Sequence, residues 1–228
     1  VTASGLIFLI FLQSHLNVFS QVRLEWAVPY NGTAKMEDEA RGIAINNSGF
    51  VYVTGQSVNT HSTGNSRDVA TVQYSPSGVY QQVRTYNGIY PNSWDAGNAV
   101  AVDRSGNVFV AGFTQKSSVD FDLLTIKYSS EDTNSIWGNT YDGYQRYDEA
   151  IDNITDDSGN VYVLGNSHDV SIDINVYMII LKYNSQGVLK WVNKYKGQYQ
   201  AFAKAIALDR SGYVYATGIT KDSDVSDF

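Results

Sequence analysis

The 228-residue chain contains no cysteine, which removes disulfides, thiolate metal sites and a cysteine nucleophile together. Histidine is nearly absent. His15 falls in the N-terminal apolar region, and His61 and His168 stand at unmatched positions in different loops. Neither loop histidine has metal-ligand spacing, and a solvated side chain is the ordinary reading. Positive charge is scarce: 16 Lys and Arg against 23 Asp and Glu leave a net charge of −7. The basic stripe that a nucleic-acid backbone requires is therefore missing. No Gly-x-Ser-x-Gly elbow, phosphate loop or His-Glu-x-x-His helix occurs, so the sequence offers no catalytic constellation. The paired carboxylates Asp120/Asp122 and Asp222/Asp224 lie in loops and make a thin case for glycosidic acid–base chemistry.

Long hydrophobic runs are also missing. Leu6 to Leu12 (Leu-Ile-Phe-Leu-Ile-Phe-Leu) is too short to cross a bilayer as a stable span. Val18-Phe19-Ser20 then places moderately small residues before Gln21, so residues 1–20 read as a secretory signal peptide without its basic n-region. The expectation is a secreted or bacterial cell-surface protein with no stable membrane span after signal cleavage. No cysteine follows the run, which argues against a lipid anchor.

What the chain has in abundance is tyrosine (17), glycine (19) and an internal repeat. Asn-Asn-Ser-Gly-Phe-Val-Tyr-Val-Thr-Gly (46–55) returns as Asp-Arg-Ser-Gly-Asn-Val-Phe-Val-Ala-Gly (103–112). It returns twice more, as Asp-Asp-Ser-Gly-Asn-Val-Tyr-Val-Leu-Gly (156–165) and Asp-Arg-Ser-Gly-Tyr-Val-Tyr-Ala-Thr-Gly (209–218). A period of 53 to 57 residues built from short β-branched and aromatic runs predicts an all-β protein, a β-propeller of four-stranded antiparallel blades. The first unit's strands are expected at Gly42–Asn46, Phe50–Gly55, Val69–Tyr74 and Val79–Tyr86, and the next two units follow the same plan. Asp-x-Ser-Gly closes the first hairpin, with Asp or Asn bonding back to its own backbone and Gly taking positive φ. Blades are expected at about residues 38–88, 95–143 and 148–197, with a partial one at 201–228 and an outer strand at 22–32. That is about 3.5 blades, so the reading is a fragment of a propeller of roughly six to eight.

These units resemble the bacterial beta-propeller repeat family often labelled SBBP, found in secreted and cell-surface proteins. The matching residues are Trp-x3-Tyr-x-Gly (Trp26, Tyr30, Gly32; Trp137, Tyr141, Gly143; Trp191, Tyr195, Gly197) and Asp-x-x-Thr-x-x-Tyr (Asp68, Thr71, Tyr74; Asp122, Thr125, Tyr128). The Asp-x-Ser-Gly-Asn-Val-Tyr-Val-x-Gly phrase matches as well. Gln82 departs from the pattern where Trp is expected, and Tyr177 where Asp is expected. The resemblance implies the architecture and no single activity.

Alternating strand direction puts the short hairpin turns on one face and the long, diverse loops and inter-blade links on the other. Function is expected on the long-loop face. Asp38, Asp95 and Asp148 each open a first strand there, and as a ring of hard oxygen ligands they are candidates for Ca²⁺; the alternative is that each caps a local turn. Tyr90, Trp94, Tyr144, Tyr147 and Tyr199 lie in or beside the links, where they would stack on sugar rings or anchor a protein, or else fill the space between blades. The function expected is a non-catalytic binding or display scaffold for glycans or proteins. The alternatives are an exported propeller enzyme acting on polysaccharide, with carboxylates on that face, and a purely structural repeat region.

Overall fold

The structure, a computed structural model, describes residues 10–11, 23–58, 66–130, 132–144, 146–169 and 175–221. The expected cleavage site, His15, His61 and the Asp222/Asp224 pair lie outside the described residues. Among the described residues every regular element is a strand, and no helix is long and apolar enough to cross a membrane.

A two-residue pairing joins β1 (Ile10–Phe11) to β2 (Arg23–Leu24). Fourteen further strands make four antiparallel sheets, each following chain order. The first sheet holds β3 (Asp38–Ile45), β4 (Val51–Val58), β5 (Arg67–Tyr74) and β6 (Tyr80–Tyr86). The second holds β7 (Asp95–Val102), β8 (Val108–Gln115), β9 (Phe121–Tyr128) and β10 (Ser135–Tyr141). The third holds β11 (Asp148–Thr155), β12 (Val161–Asp169), β13 (Asn175–Tyr183) and β14 (Leu189–Tyr195). The fourth pairs β15 (Gln200–Leu208) with β16 (Val214–Lys221). The arrangement is consistent with a β-propeller-like fold.

The hairpins form for the reason the sequence suggests. Asn46 Oδ1 accepts the Ser48 and Phe50 amides at 3.0 and 2.9 Å, and Asp156 Oδ1 accepts those of Ser158 and Asn160 at 2.9 and 3.0 Å. The first and last turns of a sheet share one side. A Cβ placed on Gly49 would lie 3.1 Å from Pro76, one on Gly106 the same distance from Ser130.

Apolar residues on both faces of the second and third strands build the core between sheets. Tyr52 and Val69 of the first sheet meet Val100, Val110 and Ile126 of the second. Phe109 and Leu123 meet Val163, Ile179 and Leu181 of the third, and Tyr162 and Leu164 meet Ala203 and Ile206 of the fourth. Each such side chain contributes about 1.5–3 kcal/mol when fully buried. Position decides burial more than residue type does. Val100, Asn153 and Ile206 occupy one repeat position and are 8%, 6% and 9% exposed beneath the preceding sheet, while their counterpart Ile43, which no four-stranded sheet precedes among the described residues, is 50% exposed.

Two expectations need correction. Residues 25–30 join no ladder, although Trp26, Val28 and Tyr30 pack on Val51, Val53, Val72 and Tyr74 as an outer strand would. The strands also run further toward the long-loop side than their apolar cores suggest; β3 begins at Asp38 rather than Gly42. The reason is a bulge. Register shifts leave one extra residue in every first strand: Arg41, Asn98, Ile151 and Lys204. Such a bulge breaks the strict alternation by which a strand is read from sequence.

Candidate binding surface

Asp38, Asp95 and Asp148 do open first strands, but their carboxylates turn back onto the preceding links. Asp38 Oδ2 accepts the Gly32 amide at 2.9 Å, Asp95 Oδ2 that of Gly88 at 2.7 Å, and Asp148 Oδ2 that of Gly143 at 2.7 Å. Asp95 is saturated: it also accepts the Ser93 and Thr114 hydroxyls and the Gln115 amide, at 2.7, 2.6 and 3.2 Å. Among the described residues no three His, Asp or Glu side chains stand close enough to share a metal ion. Backbone capping occupies the aspartates, so they do not gather into a cation site. Burial pushes the Asp148 carboxyl up to about 6, against the opposing bond from the Gly143 amide.

Alternation along a strand then sends the next residue to the opposite side. Glu39 and Glu149 occupy those positions, and the bulge residue Arg41 joins them. One hydrogen-bonded chain crosses three sheets. The Trp94 indole N–H donates to Gln56 Oε1 at 2.6 Å, and Gln56 Nε2 donates to Glu39 Oε2 at 2.8 Å. Glu39 accepts Arg41 Nε and Nη2 at 3.1 and 3.2 Å, a two-pronged pair that fixes the guanidinium plane. Arg41 Nη1 donates to Asn98 Oδ1 at 2.8 Å, and Asn98 Nδ2 donates to the Ala150 carbonyl at 2.7 Å.

Beside this chain lies an aromatic shelf. Trp94 meets Phe113 and Phe121 edge to face, with centroids 5.9 and 6.5 Å apart. Tyr147 packs on Phe121 at 5.2 Å and on the His168 ring at 5.4 Å. The links that carry Trp94 and Tyr147 bridge to Arg67 and Phe121 at the start of the preceding sheet's third strand. Arg67 places its guanidinium 5.6 Å from the Trp94 ring and pairs with Glu37 at 2.8 Å. Trp94 itself stays 42% exposed. The Tyr147 hydroxyl donates to Glu149 Oε2 at 3.2 Å. Burial raises the Glu149 carboxyl and lowers His168, which favours the neutral imidazole.

Of the aromatics expected here, the structure brings Trp94 and Tyr147 together. Tyr144 stacks on Tyr177 at 5.4 Å in a separate cluster, while Tyr90 and Tyr199 are half-buried in their own links. Sequence reasoning missed Glu39, Arg41, Gln56, Asn98, Phe113 and Glu149. The available signal was positional: each lies on the long-loop end of a first or second strand. The arrangement can hold a polyhydroxyl or peptide ligand, with planar donors and acceptors beside an exposed indole. Its formal charges are Glu37, Glu39 and Glu149 against Arg41 and Arg67.

No protein-family profile and no curated protein matches the chain. Among solved structures it is similar to the tail fiber of Staphylococcus aureus phage P68, at 11% identity and TM-score 0.28, covering 90% of this chain and 47% of that one. The chain thus spans about half the length of that fiber. A luciferin-regenerating enzyme matches at 14% identity and TM-score 0.28, covering 83% of this chain and 86% of its own. A protein of unknown function from Bacteroides caccae matches at 10% identity and TM-score 0.22, covering 78% and 87%.

Proposed function

We propose that the chain is an arc of a β-propeller of the SBBP type, exported to the cell surface or beyond. It works there as a non-catalytic binding scaffold, with glycans as the ligand class and the long-loop side as the binding surface. The observation that carries this reading is Trp94. Its ring is open to solvent while its N–H is tied through Gln56 and Glu39 to Arg41, Asn98 and the Ala150 carbonyl. A rigidly held indole beside planar polar groups suits a sugar, whose C–H face stacks on the ring while its hydroxyls bond to the carboxylate and amides.

The test is a titration of the full chain against a panel of neutral oligosaccharides, read by tryptophan fluorescence and by release of reducing ends. The expected result is saturable binding, weakened about five- to tenfold by Trp94→Ala, because stacking on one aromatic contributes about 1–1.5 kcal/mol. Binding untouched by Trp94→Ala would move the ligand off this shelf. Release of reducing ends would make the protein a polysaccharide-degrading enzyme and overturn the non-catalytic reading.

A further inference from the structure

The sheets are copies of one plan, so each serves as a control for the others. Residues 174–208 contain Lys182, Lys190, Lys194, Lys196 and Lys204 and no Asp or Glu, in a chain of net charge −7. Two of these lysines sit at one place in space. Lys194 Nζ lies 4.2 Å from the centre of the Tyr144 ring and 5.9 Å from that of Tyr141, and Lys196 Nζ lies 5.8 Å from that of Tyr177. Tyr144 and Tyr177 stack at an interplanar angle of 28°.

None of this is needed to build a sheet. At the position of Lys194 the first two sheets carry Thr85 and Thr140, and at that of Lys196 they carry Asn87 and Asp142. Where the third sheet has Tyr177, they have Asp68 and Asp122. All three sheets nonetheless form the same four-stranded ladder. Protection of an exposed edge, the usual task of lysine on an outer strand, is met in β6 and β10 without lysine at these positions. The third sheet therefore loses an acid and gains two cations and a tyrosine stack at a single location, at the link end of its outermost strand.

We infer that Lys194 and Lys196, held over Tyr144 and Tyr177, form a binding patch for an acidic polysaccharide, with its carboxylates on the ammonium groups. The rings anchor the two cations by attraction to their π-faces. Among the described residues, Asp169 acts on Tyr177, and Asp142 stands beside Tyr141 in sequence. Two lysines at one location on an acidic protein suit a polymer with widely spaced charges, and the dense phosphate line of a nucleic acid needs a longer basic track. The patch shares the long-loop side with the Trp94 shelf and rests on the glycan-binding reading, but uses different residues.

The test titrates the full chain with polygalacturonate at low and high salt, with fully methyl-esterified polygalacturonate and single-stranded DNA as controls. The variant is Lys194→Thr with Lys196→Asn, which installs the residues the first sheet already carries and so preserves the ladder; its urea midpoint checks this. Binding to polygalacturonate that falls with salt, falls roughly tenfold in the variant and vanishes for the ester supports the assignment. No binding at low salt, or binding indifferent to the variant, overturns it. Equal binding of DNA, lost in the same variant, overturns the polysaccharide assignment in favour of a general anion surface. If polygalacturonate fails while neutral oligosaccharides bind through Trp94, this inference falls and the wider glycan reading stands.

Discussion

The Arg84 guanidinium lies 5.8 Å from the centre of the Tyr128 ring, the spacing at which Trp26 meets Tyr74 (5.9 Å) and Trp137 meets Tyr183 (5.9 Å). Each pair joins the outermost segment before an interface to the tyrosine that ends the next sheet's third strand. Trp26 and Trp137 also donate their N–H to the following turn, at the Pro76 and Ser185 carbonyls, and cover its glycine, Gly78 or Gly187. Between the first and second sheets both halves of this contact change. Gln82 stands in place of Trp, and the turn at 129–135 has no glycine. Arg84, two residues on, reaches across and donates to the carbonyls of Ser129, Ser130 and Asp132 at 3.1, 3.3 and 2.9 Å. The side chain is fully buried, and desolvation lowers its pKa while the Tyr52 and Tyr128 rings flank it.

Arg84→Met is expected to destabilise the protein by about 2–4 kcal/mol, since three part-buried carbonyls lose a charged donor. Arg84→Lys should recover little, because one ammonium cannot match a planar fork spread over three acceptors. Urea denaturation of the three proteins checks both statements. Equal stability of the arginine and lysine forms would show that charge alone is what the cage needs.

Gly187 and Gly212 separate two costs of adding a methyl group. Both have positive φ, 82° and 85°. A Cβ on Gly187 would lie 2.8 Å from Trp137 ring atoms, whereas one on Gly212 meets nothing within 4 Å. Gly212→Ala should therefore cost only the backbone penalty of about 1 kcal/mol. Gly187→Ala should cost a further 1–3 kcal/mol, approximately, for displacing the indole. Thermal unfolding, with near-ultraviolet circular dichroism to follow Trp137, distinguishes them; matched shifts would mean the ring yields freely.

Asp148 carries a pH signature. Its carboxyl is raised to about 6 by burial, so between the unfolded value near 3.8 and pH 6 the folded chain holds a proton that the unfolded chain has released. The folded state is favoured at the acid end of that window, and this contribution fades as pH rises through 6. Asp148→Asn keeps an acceptor for the Gly143 amide and removes the titration. Its stability should vary less between pH 4.5 and 6.5 than that of the parent, as read by urea midpoints across the range. A parallel pair of curves would show that Asp148 does not titrate there.

Much of the architecture was legible because the repeat is written in short-range chemistry. Asp-x-Ser-Gly and the apolar runs after it fix a hairpin without reference to anything distant, and the hairpins are where they were expected. The site was harder to read. Asp38, Asp95 and Asp148 drew attention because they recur, yet recurrence here reflects a shared structural task, closing the link through a glycine amide. Glu39 returns only as Glu149 and the Arg41 position changes to Asn98 and Ile151 before Lys204, while the bulge between Ala40 and Gly42 hides which way they face. Trp94 was legible as an exposed aromatic, but its coupling to Gln56, 38 residues earlier, depends on how two sheets meet. Trp26–Tyr30 shows the opposite limit: its side chains do what the pattern promises while its backbone forms no ladder.

The extra residue in each first strand has a wider meaning. Arg41, Asn98, Ile151 and Lys204 fill one geometric slot with a cation, an amide, an alkyl group and another cation, and the ladder on either side is the same each time. Because that residue lies outside the pairing register, exchanging it leaves the strands aligned. Selection can thus rewrite the chemistry of this slot one sheet at a time, and a lineage built on this plan can change the surface it presents without relearning how to fold.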